Sequence, residues 1–171
     1  PDAPEAAPRI KGWMSMPLGV VSLAERFGGR DVTPQSYAGM VAAVAQHVAP
    51  FAAEYGADLR DMHLLGTSGT VTTLAGVHLN LLRYDRRRID GVWMSDADLT
   101  ATTARLLGMS YQERAANNCI SVERAALVLA GLALLHPPRH TFPLPRHRVR
   151  SRSPPAARRG HHCGGRGGHP R

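Results

Sequence analysis

The chain has 171 residues, 43% hydrophobic and 20% charged, which is room for about one domain with a real core. No run of 18 apolar residues occurs, which excludes a membrane-spanning helix, and two cysteines, Cys119 and Cys163, with no CxxC pair argue against a disulfide scaffold or a cysteine zinc site. The net charge of +8 is lopsided: residues 1–135 hold 12 Lys and Arg against 13 Asp and Glu, whereas residues 136–171 hold nine Arg and no acid. Residues 11–18 read as a strand carrying Trp13, Met14 and Met16, and residues 19–27 as the start of a short helix stopped by Gly28 and Gly29. Thr33 followed by Pro34 reads as an N-cap and first helical position. The helix after it carries Tyr37, Met40, Val41, Val44, Val48 and Phe51 on one stripe, at the helical period, and Pro50 should bend or end it.

Residues 62–65 form a short apolar run suited to a buried strand. Gly66, Thr67, Ser68, Gly69 and Thr70 break it, and residues 71–82 resume as a helix. Residues 91–94 read as a second short strand. Ser95 with Asp98, and Ser110 with Glu113, fit the capping-box spacing and start two helices. Ser121 starts a third, and residues 122–135 are apolar almost all round, as in a buried helix. Strands mixed with longer helices make this an α/β chain.

The stretch MHLLGTSGTVTTLAG, residues 62–76, is the most informative. A buried strand runs through a small, hydroxyl-rich loop into a helix, whose free N–H groups and dipole favour an anion. Phosphate binding by residues 66–70 is one reading. A simple helix cap, with glycines that allow close packing, is the other. The loop is not a Walker A motif, because no GK[ST] follows. Arg83, Arg86, Arg87 and Arg88 form a basic cluster that either guides a polyanion or sits solvated beside Asp85 and Asp90. His63 reads as a packed histidine, and Glu123 with Arg124 as structural residues. A catalytic role for Glu25 is disfavoured. His47 and His78 lie on helices without a spaced partner, which disfavours zinc.

The run GTSGTVTTLAGVHLNLLRYDRRRIDGVWMSDADL, then SYQERAA and ERAALVLAGLALL, with GWMSMPLGVVSLAERF upstream, resembles the Ppx/GppA phosphatase family over residues ~12–135. The resemblance implies two domains of the actin-like, ribonuclease H-like ATPase fold, of which this chain is an incomplete second domain. It implies that Gly66, Thr67, Ser68, Gly69 and Thr70 bind phosphate in the cleft between the domains, with Arg83, Arg86, Arg87 and Arg88 as further polyanion contacts. The implied activity is hydrolysis of terminal phosphoanhydrides of polyphosphate or guanosine pentaphosphate, with Mg²⁺ and a carboxylate that activates water. The first domain, with that carboxylate and its phosphate loop, has no counterpart in the chain. The chain on its own is therefore expected to be inactive. A homodimer of the full-length protein, a cytoplasmic location and no membrane partner are also implied. The first residues lack a secretory pattern and an initiator Met, so the chain is expected to begin inside a longer one.

Residues 136–171 hold seven of the 13 prolines and six of the nine histidines. Almost no large aliphatic is available to offset chain entropy, so a disordered basic tail is expected from His136 onward. Wrong-frame translation of a GC-rich gene gives this composition. The alternative is a real tail making the chain a non-catalytic anion or nucleic-acid binding module, although no aromatic residue follows Phe142 to stack a base.

Overall fold

The computed structural model describes residues 10–56, 59, 62–142, 144 and 146–151. The first helices are α1 (Val20–Phe27) and α2 (Pro34–Tyr55); strand β1 (Leu64–Gly66) and helix α3 (Gly69–His78) follow. Next come α4 (Arg86–Ile89), β2 (Trp93–Ser95), α5 (Asp96–Leu107), α6 (Tyr111–Ala115), α7 (Val122–Ala125), α8 (Val128–Thr141) and β3 (Arg146–Val149). The three strands form one mixed sheet in the order β1-β3-β2, with β1 parallel and β2 antiparallel to β3.

Capping chemistry sets several helix starts. The Thr33 hydroxyl accepts from the Ser36 N–H, the Ser95 hydroxyl from the Asp98 N–H and the Ser110 hydroxyl from the Glu113 N–H. In the last two, the carboxylate reaches back to the cap residue's own N–H at 2.8 and 2.7 Å. Each closure satisfies two otherwise orphaned donors.

Helix α8 is the spine. Val128, Leu129 and Leu132 join a core with Leu74 and Val77 of α3 and Leu99 and Leu106 of α5. Ala130 and Ala133 turn to a second core with Leu23 of α1 and Met40, Val44 and Val48 of α2. Small side chains on that side let α2 lie close. Gly131 serves the same purpose toward α3: a Cβ there would overlap the Thr70 side chain.

Four expectations are corrected or narrowed. Residues 11–18 contain no strand: Pro17 has no N–H to give a ladder, and Met16 and Leu18 pack instead against the α1–α2 core. Of the two outcomes expected at Pro50, the ending is excluded, because α2 runs on to Tyr55. The apolar run 122–135 is two helices, α7 and α8, rather than one. Disorder from His136 fails for residues 136–142, 144 and 146–151: α8 runs through Pro137 and Pro138 to Thr141, and β3 lies at the centre of the sheet. The reason is alternation. His147 and Val149 point into the core while Arg146 is exposed, so a strand forms despite its basic composition. The tail expectation for residues 152–171 lies outside the described residues. Among the described residues no helix is long and apolar enough to cross a membrane.

Candidate functional site

Strand β1 ends at Gly66 and α3 begins at Gly69, so residues 66–70 make a tight strand-to-helix turn. Ser68 is the N-cap, and its hydroxyl accepts from the Val71 N–H at 3.2 Å. The Ser68 carbonyl accepts the Thr72 N–H at 3.1 Å. Among the described residues the Gly69 and Thr70 N–H groups have no protein acceptor. Those are the first orphan donors of a helix start, where the partial positive charge collects.

The two glycines serve close packing rather than unusual backbone angles. A Cβ on Gly66 would lie 2.6 Å from Val71 Cγ1. A Cβ on Gly69 would lie 2.7 Å from Arg124 Nη1, because the Arg124 guanidinium occupies the space above the turn. Its Nη1 donates to the Gly69 carbonyl at 3.1 Å. Arg124, at the end of α7, is therefore held against the loop, a structural contact that also places its guanidinium beside the turn. Its α7 position between the loop and the start of α8 is set by tertiary packing, which no local sequence pattern announces.

Two hollows flank the turn. One, of about 250 Å³, is lined by Ser68, Gly69, Thr70, Thr73 and Arg124 with apolar walls from α1 and α8. The Thr73 hydroxyl in it is buried and has no partner among the described residues. The other, of about 280 Å³, is lined by Thr67, Ser68, Thr72, Tyr84, Arg86 and Arg124. Arg86 is thus brought to the loop. Its guanidinium also donates to the Ser151 hydroxyl and carbonyl, both at 2.9 Å. Arg83, Arg87 and Arg88 line neither hollow and are exposed. Sequence reasoning missed Arg124 and Thr73 as lining residues. The signal available was the run of hydroxyls continuing past Thr70 into α3.

Among the described residues both hollows offer hydroxyls and guanidinium groups and no carboxylate. That donor set suits an anion. It does not fit Mg²⁺, which is held by carboxylate oxygens and substrate phosphates, and among the described residues no group of three His, Cys, Asp or Glu side chains is placed to hold a metal.

His63 is exposed rather than packed in the core. It makes an edge contact with the Trp93 ring at 4.9 Å between centroids.

No family model matches the chain, and no curated protein sequence matches it. Solved structures do. The Aquifex aeolicus Ppx/GppA phosphatase superposes with a TM-score of 0.71 at 21% identity, over 83% of this chain and 46% of that one. The chain has the fold of part of a Ppx/GppA phosphatase. An exopolyphosphatase-like protein superposes at 0.69 with 25% identity, over 80% of this chain and 46% of that one. An exopolyphosphatase from Cytophaga hutchinsonii gives 0.69 at 20% identity, over 81% and 45%. The chain thus spans less than half the length of each of these Ppx/GppA-like structures. The 83% shared with the Aquifex aeolicus structure is more than the 135 residues that precede His136. The common fold therefore continues into the segment that composition marks as a tail.

Proposed function

We propose that this chain is part of the second domain of a Ppx/GppA-type phosphohydrolase, an actin-like (ribonuclease H-like) ATPase fold, and that residues 66–70 form one wall of its phosphate cleft. The reaction is removal of a terminal phosphoryl group from polyphosphate or guanosine pentaphosphate. The observation that carries the reading is the turn itself. Among the described residues, two helix-start N–H groups without an acceptor, the buried Thr73 hydroxyl, and the Arg124 and Arg86 guanidiniums belong to residues that line hollows with no carboxylate.

Such a wall does electrostatic work. Donors fixed beside the transferring group stabilise the charge on its oxygens without having to reorganise. Arg124 is anchored through Nη1 to the Gly69 carbonyl, which leaves its remaining N–H donors for an incoming oxyanion. Among the described residues neither hollow is lined by a carboxylate that could act as a general base, and activation of water is assigned to none of these residues. Among the described residues the Mg²⁺ of the family has no ligand set, and no step is assigned to it.

The test is equilibrium binding of inorganic tripolyphosphate to the full chain, with phosphate release followed in parallel. Binding without phosphate release is expected. Arg124→Gln should weaken binding about tenfold, the scale of one charge-assisted hydrogen bond, with the melting curve little changed. Unaltered tripolyphosphate affinity in both Arg124→Gln and Thr73→Val would sink the reading. So would metal-dependent turnover by the chain alone.

A further inference from the structure

The sheet has one buried face and one open face. On the buried face Met94, His147 and Val149 are at most 5% exposed. On the other face the register sets Leu65, Arg148 and Trp93 side by side across all three strands. Leu65 is 42% exposed and Trp93 39%. Trp93 reaches over β3 and lies between two cations and an imidazole. The Arg146 guanidinium carbon is 4.7 Å from its ring centroid, the Arg148 carbon 5.3 Å and the His63 ring 4.9 Å. Neither arginine has an acidic partner within ion-pair distance among the described residues, and Arg148 Nε is buried without an acceptor. Two acids of the described residues, Asp96 and Asp90, are engaged elsewhere: Asp96 lies 3.1 Å from Arg139, and Asp90 takes the Ser151 N–H and Arg150.

Two guanidiniums held beside an aromatic ring, with no acidic partner among the described residues, suit phosphate groups. A half-exposed indole beside them is a platform for a planar base. Stacking on an open sheet face with arginines gripping the backbone is how several sheet proteins hold unpaired strands. We infer that Trp93, Arg146, Arg148 and His63 form a binding site for single-stranded nucleic acid on the open face of the sheet, separate from the turn at residues 66–70. The backbone phosphates draw Arg146 and Arg148 off the Trp93 ring, and one base takes their place against the indole. The basic segment after His136 lacks an aromatic residue beyond Phe142. The fold supplies one from β2, more than 50 positions earlier in the chain, by pairing Trp93 with Arg148.

The experiment titrates the full chain, in a Trp13→Phe background, with a fluorescein-labelled oligothymidylate of about ten nucleotides, within the usual span of one such site. Trp13 is 77% exposed, so its replacement leaves Trp93 as the single indole reporter. Expected results are quenching of Trp93 emission on binding and about tenfold weaker binding for Trp93→Leu, with Trp93→Phe close to the parent. Arg146→Gln and Arg148→Gln should each weaken binding and lower the slope of log affinity against log salt by about one. Far-UV circular dichroism of each variant separates lost binding from lost folding. Equal affinities for Trp93→Leu, Trp93→Phe and the parent would overturn the site. Displacement of the oligonucleotide by inorganic polyphosphate at equal charge, with the same quenching, would also overturn it, because it shows a charge patch with no stacked base.

Discussion

At the residue scale, the clearest case is Arg114. It is 2% exposed and donates to three carbonyls: Met109 at 2.6 Å, Arg30 at 2.8 Å and Ala125 at 3.2 Å. A buried charge is tolerated where its donors are satisfied, and here they close three chain segments onto one fork. Lysine cannot reproduce that planar geometry. Arg114→Lys is expected to destabilise the chain by about 2 kcal/mol, and Arg114→Met by more, since one buried and two part-buried carbonyl bonds are then lost. Urea unfolding with an unchanged m-value measures this, and a midpoint equal to the parent's in both variants would refute it. The sequence places Arg114 in a run resembling a known family but assigns it no role, because its three acceptors lie on separate elements. Gly69 shows the opposite balance. Its role as a small residue at a turn was legible, yet the group filling the space above it, Arg124, comes from 55 positions away.

At the element scale, β3 is where composition and structure part. Nine arginines without an acid in residues 136–171 read as a solvated tail, but a strand needs only alternation and a partner on each side. Its inward His147 packs beside Arg139 at the back of the sheet, with Asp96 3.9 Å from Nε2. Burial lowers the His147 pKa below the ordinary 6.5, against the pull of Asp96 and with the help of Arg139. Burial also lowers His136, aided by His140 and Arg139. A base whose folded-state pKa is depressed favours the neutral form. Its stabilising contribution is therefore complete above pH 6.5 and is lost as the pH falls below that value. The urea midpoint is expected to fall between pH 7.5 and pH 5.5, and His147→Leu should flatten the dependence. A flat profile in the parent would contradict the assignment. The capped starts of α5 and α6, by contrast, were fully legible, because a capping box is written within four residues.

At the scale of the whole molecule, a sheet of three short strands leaves β1 with β3 as its one neighbour among the described residues. Below that strand an apolar hollow of about 630 Å³ opens between Phe51, Tyr55, Met62, Leu64, Phe142 and Leu144. Unpaired strand edges and exposed apolar surface drive association. The purified chain is expected to bind a hydrophobic dye and to sediment as concentration-dependent oligomers, and Leu65→Lys should shift it toward monomer. A monomer at all concentrations with a sharp cooperative melt and no dye binding would count against this. Residues 1–135 alone are expected to be less soluble still, because the loss of β3 exposes a further strand edge.

The sequence by itself determined what is local. The helical period of α2, the hydroxyl caps of α5 and α6, and the strand–turn–helix around residues 66–70 all depend on neighbours within about one or two turns, so side-chain chemistry at fixed spacing was enough to find them. The tertiary structure decided what depends on distant partners. Residues 11–18 read as a strand but have no strand to pair with, and they pack on helices instead. Residues 146–149 read as a tail but find β1 and β2 on either side, which satisfies their backbone groups and buries His147 and Val149. Arg124 above Gly69 and the arginines around Trp93 belong to the same class. Their meaning lies in contacts between segments 50 or more positions apart, and chain topology alone brings those segments together.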